Sequence, residues 1–108
     1  MAVPIQKVIP LKTAEQMQRH FRGMGNHYRI EILLLVERQK GITVKAITKT
    51  LEANFKTISH HTNYLVKAGL MHKKYWANTV KHSLSPYGLL FVKFIRNFQR
   101  IGSEHKRI

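Results

Sequence analysis

"NFKTISHHTNYLVKAGL", residues 54–70, is the stretch on which the fold of this chain turns. Asn54 is a residue type whose side chain accepts from the first free amides of a helix, and Gly69 suits the left-handed turn that ends one. At about 100° per residue between them, Ile58, Thr62 and Leu65 cluster on one side, flanked by His61 and Ala68. Lys56, His60, Asn63 and Lys67 lie opposite. Such a helix buries one side and offers donors on the other. Lysine and asparagine meet phosphates and base edges, and histidine serves in either role. The same side chains would also suit a plain solvated face, so the neighbouring segments decide between the two.

Upstream, "TAEQ" (13–16) is a capping box, with Thr13 as cap and Gln16 three residues on. It opens a helix expected to reach about Arg22, with Met17 and Phe21 turned inward. "GMGN" (23–26) breaks it, and Asn26 caps a second helix to about Arg38. That helix carries "IEILLLV" and is apolar nearly all round, which predicts a central, buried element. "KG" (40–41) ends it. Thr43 caps a third helix with Val44, Ile47 and Leu51 on one face. After the short turn "EAN" comes the helix of residues 54–68.

Downstream, "LMHKKYWANTVKHSL" (70–84) alternates, and "WANT" makes a turn between two strands. If Tyr75 faces Val80, then Met71, Tyr75, Val80 and Leu84 share one side. His72, Lys74, Trp76, Thr79, Lys81 and Ser83 share the other. Ser85 followed by Pro86 starts a last helix, to about residue 101, with Phe91, Phe94, Phe98 and Ile101 down one side and Leu90 and Ile95 alongside. A short helix, a tight turn, an amphipathic helix and a basic hairpin follow the winged-helix order. The fold class is therefore mainly α with a small β-hairpin: a winged helix-turn-helix of about five helices and a two-stranded wing. Residues 1–12 read as an N-terminal arm, 13–101 as a single domain, and 102–108 as a polar tail that frays.

Composition points to the partner. Nineteen Lys and Arg against five Asp and Glu give a formal charge of +14 in 108 residues. That excess favours a polyanion, nucleic acid before anionic membrane. There is no cysteine, which excludes disulfides and thiolate metal sites. The opening "MAVPIQKVIPLK" is interrupted by Gln6, Lys7 and two prolines, so it is no secretory signal, and "ILLLV" (32–36) is too short to span a bilayer. A cytoplasmic protein with no membrane partner is expected.

From Gly25 to about Gly88 the chain resembles the ArsR family of bacterial and archaeal transcription regulators. "GNHYRIEILLLV" (25–36) is similar to that family's second helix, and "TVKAITKTL" (43–51) to its third. "NFKTISHHTNYLVKAGLM" (54–71) is similar to its recognition helix, and "HSLSPYG" (82–88) to the join between wing and last helix. The resemblance implies a winged-helix dimer that binds double-stranded DNA, probed at the major groove by Lys56, Thr57, Ser59 and His60. Three positions depart from the pattern. His27 stands where proline is common, and Phe55 where a polar residue usually contacts DNA. Thr62 replaces a core leucine, so weaker local packing or a hydroxyl bonded back to a carbonyl is expected.

The candidate DNA-binding set is thus Lys56, Thr57, Ser59, His60, Asn63 and Lys67 on the recognition helix, Lys74 and Lys81 on the wing, and Thr43 and Lys45 at the head of the third helix. The candidate dimer seam is Met17, Phe21, Leu90, Phe91, Phe94, Ile95, Phe98 and Ile101. One helix presents a single stripe to its own core, and the surplus must be covered elsewhere. The three phenylalanines of the last helix could instead line a ligand pocket, but terminal helices close the dimer in the resembled family. Neither outcome is chosen for Trp76, which could enter a groove or lie back on the protein.

No metal or other cofactor is expected. His60 and His61 diverge by about 100° on a helix, His72 and His82 fall on opposite hairpin faces, and residues 86–101 hold no carboxylate or histidine. His61 reads as a satisfied, partly buried histidine. The five glutamates are scattered, and no nucleophile–base pair or phosphate loop is legible, so no enzyme is expected. The function read from all this is a sequence-specific DNA-binding regulator, taken as a repressor. The alternative is a winged helix used as a protein-interaction or RNA-binding module.

Overall fold

The computed structural model describes the backbone of residues 10–105 and side chains as far as residue 101. Seven elements follow one another: α1 (Ala14–Met24), α2 (His27–Arg38), α3 (Val44–Leu51), α4 (Phe55–Lys67), β1 (Met71–Trp76), β2 (Thr79–Leu84) and α5 (Pro86–His105). Five helices and a two-stranded antiparallel hairpin are the winged helix-turn-helix architecture.

The helix starts are set by side-chain caps. Thr13 accepts from the Gln16 amide while the Gln16 side chain accepts from the Thr13 amide, at 3.1 and 2.9 Å. Asn26, Thr43 and Asn54 cap α2, α3 and α4 in turn. Between α3 and α4 the chain turns through Glu52, which is left-handed at φ 51°. At the far end of α4, Gly69 (φ 79°) allows the Leu70 amide to reach back to the Leu65 carbonyl, the paired closure that a left-handed residue after a helix permits.

The core forms around α2. Ile32, Leu33, Leu35 and Val36 are buried there, joined by Ile47 of α3, Ile58 and Leu65 of α4, Leu70 and Met71 at the head of the wing, and Phe91 and Val92 of α5. Leu70 is gripped from both sides. A Cβ on Gly23 would collide with its side chain, and one on Gly88 with its carbonyl oxygen. Only hydrogen at these two positions lets α1 and α5 approach the α4–β1 join so closely.

The wing pairs Met71 with Leu84, Lys74 with Lys81 and Tyr75 with Val80. Its base is bolted to the chain between α2 and α3: the Gly41 amide donates to the His82 carbonyl at 2.8 Å and the His82 amide to the Ile42 carbonyl at 3.0 Å. At the other end, Ser85 donates to the Gly69 carbonyl at 2.6 Å and accepts from the Gly88 amide at 3.0 Å. The same hydroxyl fixes the wing's exit and caps α5.

Several expectations need correcting. Met17 and Phe21 are not buried; they are 40% and 53% exposed, because α1 meets the core chiefly through Gly23, Met24 and the half-buried His20, with Phe21 adding a stack on Phe91. Phe91 and Ile95 are buried within the protomer, so neither is surplus area awaiting a partner. Tyr75 lies on the inner side of the hairpin, yet it is exposed, since the wing projects beyond the helices that cover Met71 and His82. α5 continues to His105, so Gly102 to His105 are helical rather than a frayed tail, and the helix does include Glu104 and His105. Thr62 is fully buried, and its hydroxyl has no partner among the described residues; the back-bond to a carbonyl is not made. Of the arm, residues 1–9 lie outside the described residues, as do 106–108 of the tail.

Candidate nucleic-acid interface

The candidate surface is built on α4. Its cap leaves the amides of Lys56 and Thr57 on the Asn54 side-chain oxygen at 2.8 and 3.2 Å. Ile58, Thr62 and Leu65 are buried beneath it. Lys56, His60, Asn63 and Lys67 are exposed along one side, with Thr57 and Ser59 half-buried at its margins. Phe55 is also exposed at the head of the helix. Helix spacing alone brings these together; a helix start also carries partial positive charge, which suits an anion.

Thr43 and Lys45 stand at the head of α3, the helix that packs on α4. The Thr43 hydroxyl accepts from the Ala46 amide at 3.2 Å, so its first duty is capping. Lys45 is exposed. On the wing, Lys74 and Lys81 are directly opposed across the strands and both are exposed. Like charges in that position repel, and an anion lying over the pair would relieve the repulsion. Among the described residues, Lys56, Lys67, Lys74 and Lys81 have no carboxylate partner; the ion pairs fall at His27–Glu31 and Arg96–Glu37.

Beside the candidate face of α4 lies a polar clamp that sequence reading missed. Arg29 of α2 donates from Nε to Nδ1 of His61 at 3.2 Å and from its terminal nitrogen to the Arg22 carbonyl at 2.8 Å. Its guanidinium lies 3.6 Å from the centre of the Tyr64 ring. Tyr28 stacks on His61 at 5.6 Å, and His60 meets His61 edge-on. One arginine thereby ties α1, α2 and α4. To accept from Arg29, His61 must be neutral at Nδ1. Burial, and then the charges of Arg29, His60 and His27, hold its pKa below the ordinary value. The only sequence sign of this clamp was the half-apolar placement of His61, and Arg29 gave none.

Two more histidines are structural. His20 donates from Nδ1 to the Ala68 carbonyl at 2.8 Å and stacks on Tyr87 at 4.5 Å, joining α1, the end of α4 and α5. His82 is buried beneath the wing and donates to the Ile42 carbonyl at 3.2 Å. Burial lowers its pKa, the Ile42 bond opposes this, and Lys73 adds to the lowering. Among the described residues no three His, Asp or Glu side chains gather in a way that could hold a metal ion.

Elsewhere, α1 and α5 leave exposed apolar surface. Met17, Phe21, Leu90, Phe94, Phe98 and Ile101 are 40–66% exposed, and Phe94 stacks on Phe98 at 6.0 Å. Phe21 stacks on Phe91 at 5.4 Å, so this surface continues from the protomer's own core. An open cleft of about 580 Å³ lies elsewhere, between α2, the wing and α5, lined in part by Val36, Lys40, His72 and Leu89. No phenylalanine of α5 lines it.

No described helix is long and apolar enough to cross a membrane. No family model matches the sequence, and no curated protein resembles it closely enough to match. Solved structures do match. HlyU from Vibrio cholerae superposes with a TM-score of 0.73 at 21% identity, over 82% of this chain and 97% of that one. The homodimeric winged helix-turn-helix DNA-binding domain of a possible ArsR-family regulator from Mycobacterium bovis gives 0.70 at 19% identity, over 90% and 93%. The transcriptional repressor PagR of Bacillus anthracis gives 0.69 at 17% identity, over 75% and 93%. At such identities the likeness is one of fold: this chain has the winged helix-turn-helix fold, and its structural neighbours include ArsR-type transcription regulators.

Proposed function

We propose that the protein is a homodimeric, sequence-specific double-stranded DNA-binding regulator, acting as a repressor. α4 enters the major groove, and the wing lies on the flanking backbone or minor groove. The observation that carries this reading is the exposed donor face of Lys56, His60, Asn63 and Lys67, which runs the length of a helix whose opposite side, Ile58, Thr62 and Leu65, is fully buried. Lys74 and Lys81 supply phosphate contacts beside it, and the apolar surface on α1 and α5 supplies a two-fold seam. The homodimeric Mycobacterium bovis domain is a precedent for both features in one fold.

Gel-shift titrations against random duplex, single-stranded DNA and RNA test the class of ligand, and selection from random DNA tests specificity. Duplex is expected to win, with a near-palindromic consensus whose half-sites are about one helical turn apart. If a dimer meets about 8 phosphates, log K should fall against log salt with a slope near −7. A flat salt response, or preference for RNA, would remove the reading in favour of an RNA-binding or protein-interaction module.

A further inference from the structure

The hairpin tip holds aromatic surface that the groove-reading model does not use. Tyr75 and Trp76 are consecutive on β1, so they project from opposite faces of the hairpin, and they are 69% and 60% exposed. Neither joins the core. Each has a lysine beside its ring: Lys73 Nζ is 5.8 Å from the Tyr75 ring centre, and Lys81 Nζ is 5.4 Å from that of Trp76. The turn between the strands is strained, since Ala77 is left-handed at φ 53° without being glycine. Thr79 closes it by donating to the Trp76 carbonyl at 2.9 Å, so the tip is held in a defined shape despite its exposure.

Two large rings held on a projecting tip each keep more than half of their surface open to a partner. A wholly apolar partner would have to strip water from the lysines that share the tip without offering them a counter-charge. Nucleobases offer the opposite combination: flat apolar faces to stack on, carried by a polyanionic backbone for Lys73, Lys74 and Lys81. Aromatic wedges at a minor groove act in this way by entering a partly unstacked base step. The +14 charge of the chain argues for the same partner.

We propose that the wing tip is a base-stacking contact, in which Trp76 and Tyr75 engage unstacked nucleobases flanking the site held by α4. This rests on the DNA-binding reading above and adds a second source of preference to it. α4 selects by base edges, whereas the tip selects by how easily the flanking steps open. The protein should therefore favour operators flanked by flexible pyrimidine–purine steps, and favour still more a flank whose bases are unpaired.

Trp76 is the chain's single tryptophan, so its emission reports the contact directly. The full-length protein is titrated with an operator duplex selected from random DNA, and with the same duplex carrying a two-base mismatch in the flank. Emission should be strongly quenched on binding, and the mismatched duplex should bind more tightly. Trp76→Ala should lose about tenfold or more in affinity for the mismatched duplex and abolish its advantage, whereas Trp76→Phe should keep most of it. Circular dichroism of both variants checks the fold. Gel-shift binding with unchanged emission, or equal losses on both duplexes in Trp76→Ala, would overturn the stacking contact and leave DNA binding intact. Failure of the wild-type chain to shift any duplex would remove both.

Discussion

Thr62, the half-buried His61 and the buried His82 make the sharpest residue-scale cases. Thr62 sits at 0% exposure with an unpartnered hydroxyl. A buried donor left unmade costs about 1–3 kcal/mol, and an apolar group of the same shape escapes that cost. Thr62→Val is therefore expected to raise stability by about 1 kcal/mol in urea unfolding, with DNA affinity unchanged because the side chain faces away from the candidate surface. A loss of stability would mean that the hydroxyl has a partner after all. For His61 and His82, the native state holds the neutral ring, with pKa below the ordinary 6.5 in both. Above that value native and unfolded chains are both neutral, and the full stability is present. As pH falls through 6.5 the unfolded chain takes up protons first, so stability declines until the native rings titrate in turn. Urea midpoints should fall between about pH 7.5 and about pH 5.5. The double variant His61→Asn with His82→Asn, which keeps a polar atom near each Nδ1, should show a shallower fall. An unchanged pH profile in that variant would assign the effect to other groups.

At the scale of elements, α4 and the wing should fail differently. Lys56→Ala and His60→Ala remove donors from the groove-facing side of α4, and each lost base contact is expected to cost about 1–3 kcal/mol on the selected operator with much less effect on random duplex. Lys74→Ala and Lys81→Ala remove the proposed backbone contacts, one in each protomer, so they should weaken binding to all duplexes about alike and flatten the salt slope by about 2 each. Competition gel shifts with specific and random DNA read both. If His60→Ala left the ratio of specific to random binding intact, the face of α4 that meets the bases would be a different one. Arg29 belongs at this scale as well. It touches no candidate DNA contact directly, but it holds α4 to α1 and α2 through His61, Tyr64 and the Arg22 carbonyl.

For the whole molecule, the decisive quantity is the apolar surface on α1 and α5. Phe21, Phe94 and Phe98 each keep more than half of their surface exposed in the protomer. At about 25 cal/mol per Å², covering three such rings contributes several kcal/mol per chain. Phe94→Glu or Phe98→Glu should give monomers by sedimentation, well folded by circular dichroism, that bind the operator far more weakly, since each half-site must then be held alone. Phe91 is the contrasting position. It is buried against the protomer's own core, so Phe91→Glu should unfold the chain rather than dissociate it. A wild type that sediments as a monomer at tens of micromolar concentration, on the order of 10⁻⁵ M, would sink the two-fold arrangement.

What the sequence determined by itself was everything governed by local rules. Thr13, Asn26, Thr43, Asn54 and Ser85 start their helices, Gly69 ends α4, and Tyr75 faces Val80, because caps, helical period and strand alternation act over a few residues. The order of those elements was enough for the winged helix, and the charge pointed to a nucleic-acid partner. Only the tertiary structure decided which apolar residues were surplus. Along α5, Phe91 and Ile95 alternate with Phe94 and Phe98 with little to separate them in hydrophobicity, and only the packing of α5 on α2 and on Phe21 and His20 of α1 buries the first pair and leaves the second exposed. The same holds for α1, where Gly23 makes the closest approach to the core, because Leu70 leaves no room for a side chain there, while Met17 and Phe21 stay largely exposed. His20, His61 and His82 were indistinguishable as residue types; their partners are a carbonyl 48 residues away, an arginine 32 away and a carbonyl 40 away. Contacts at such separations follow from packing, which no local pattern encodes.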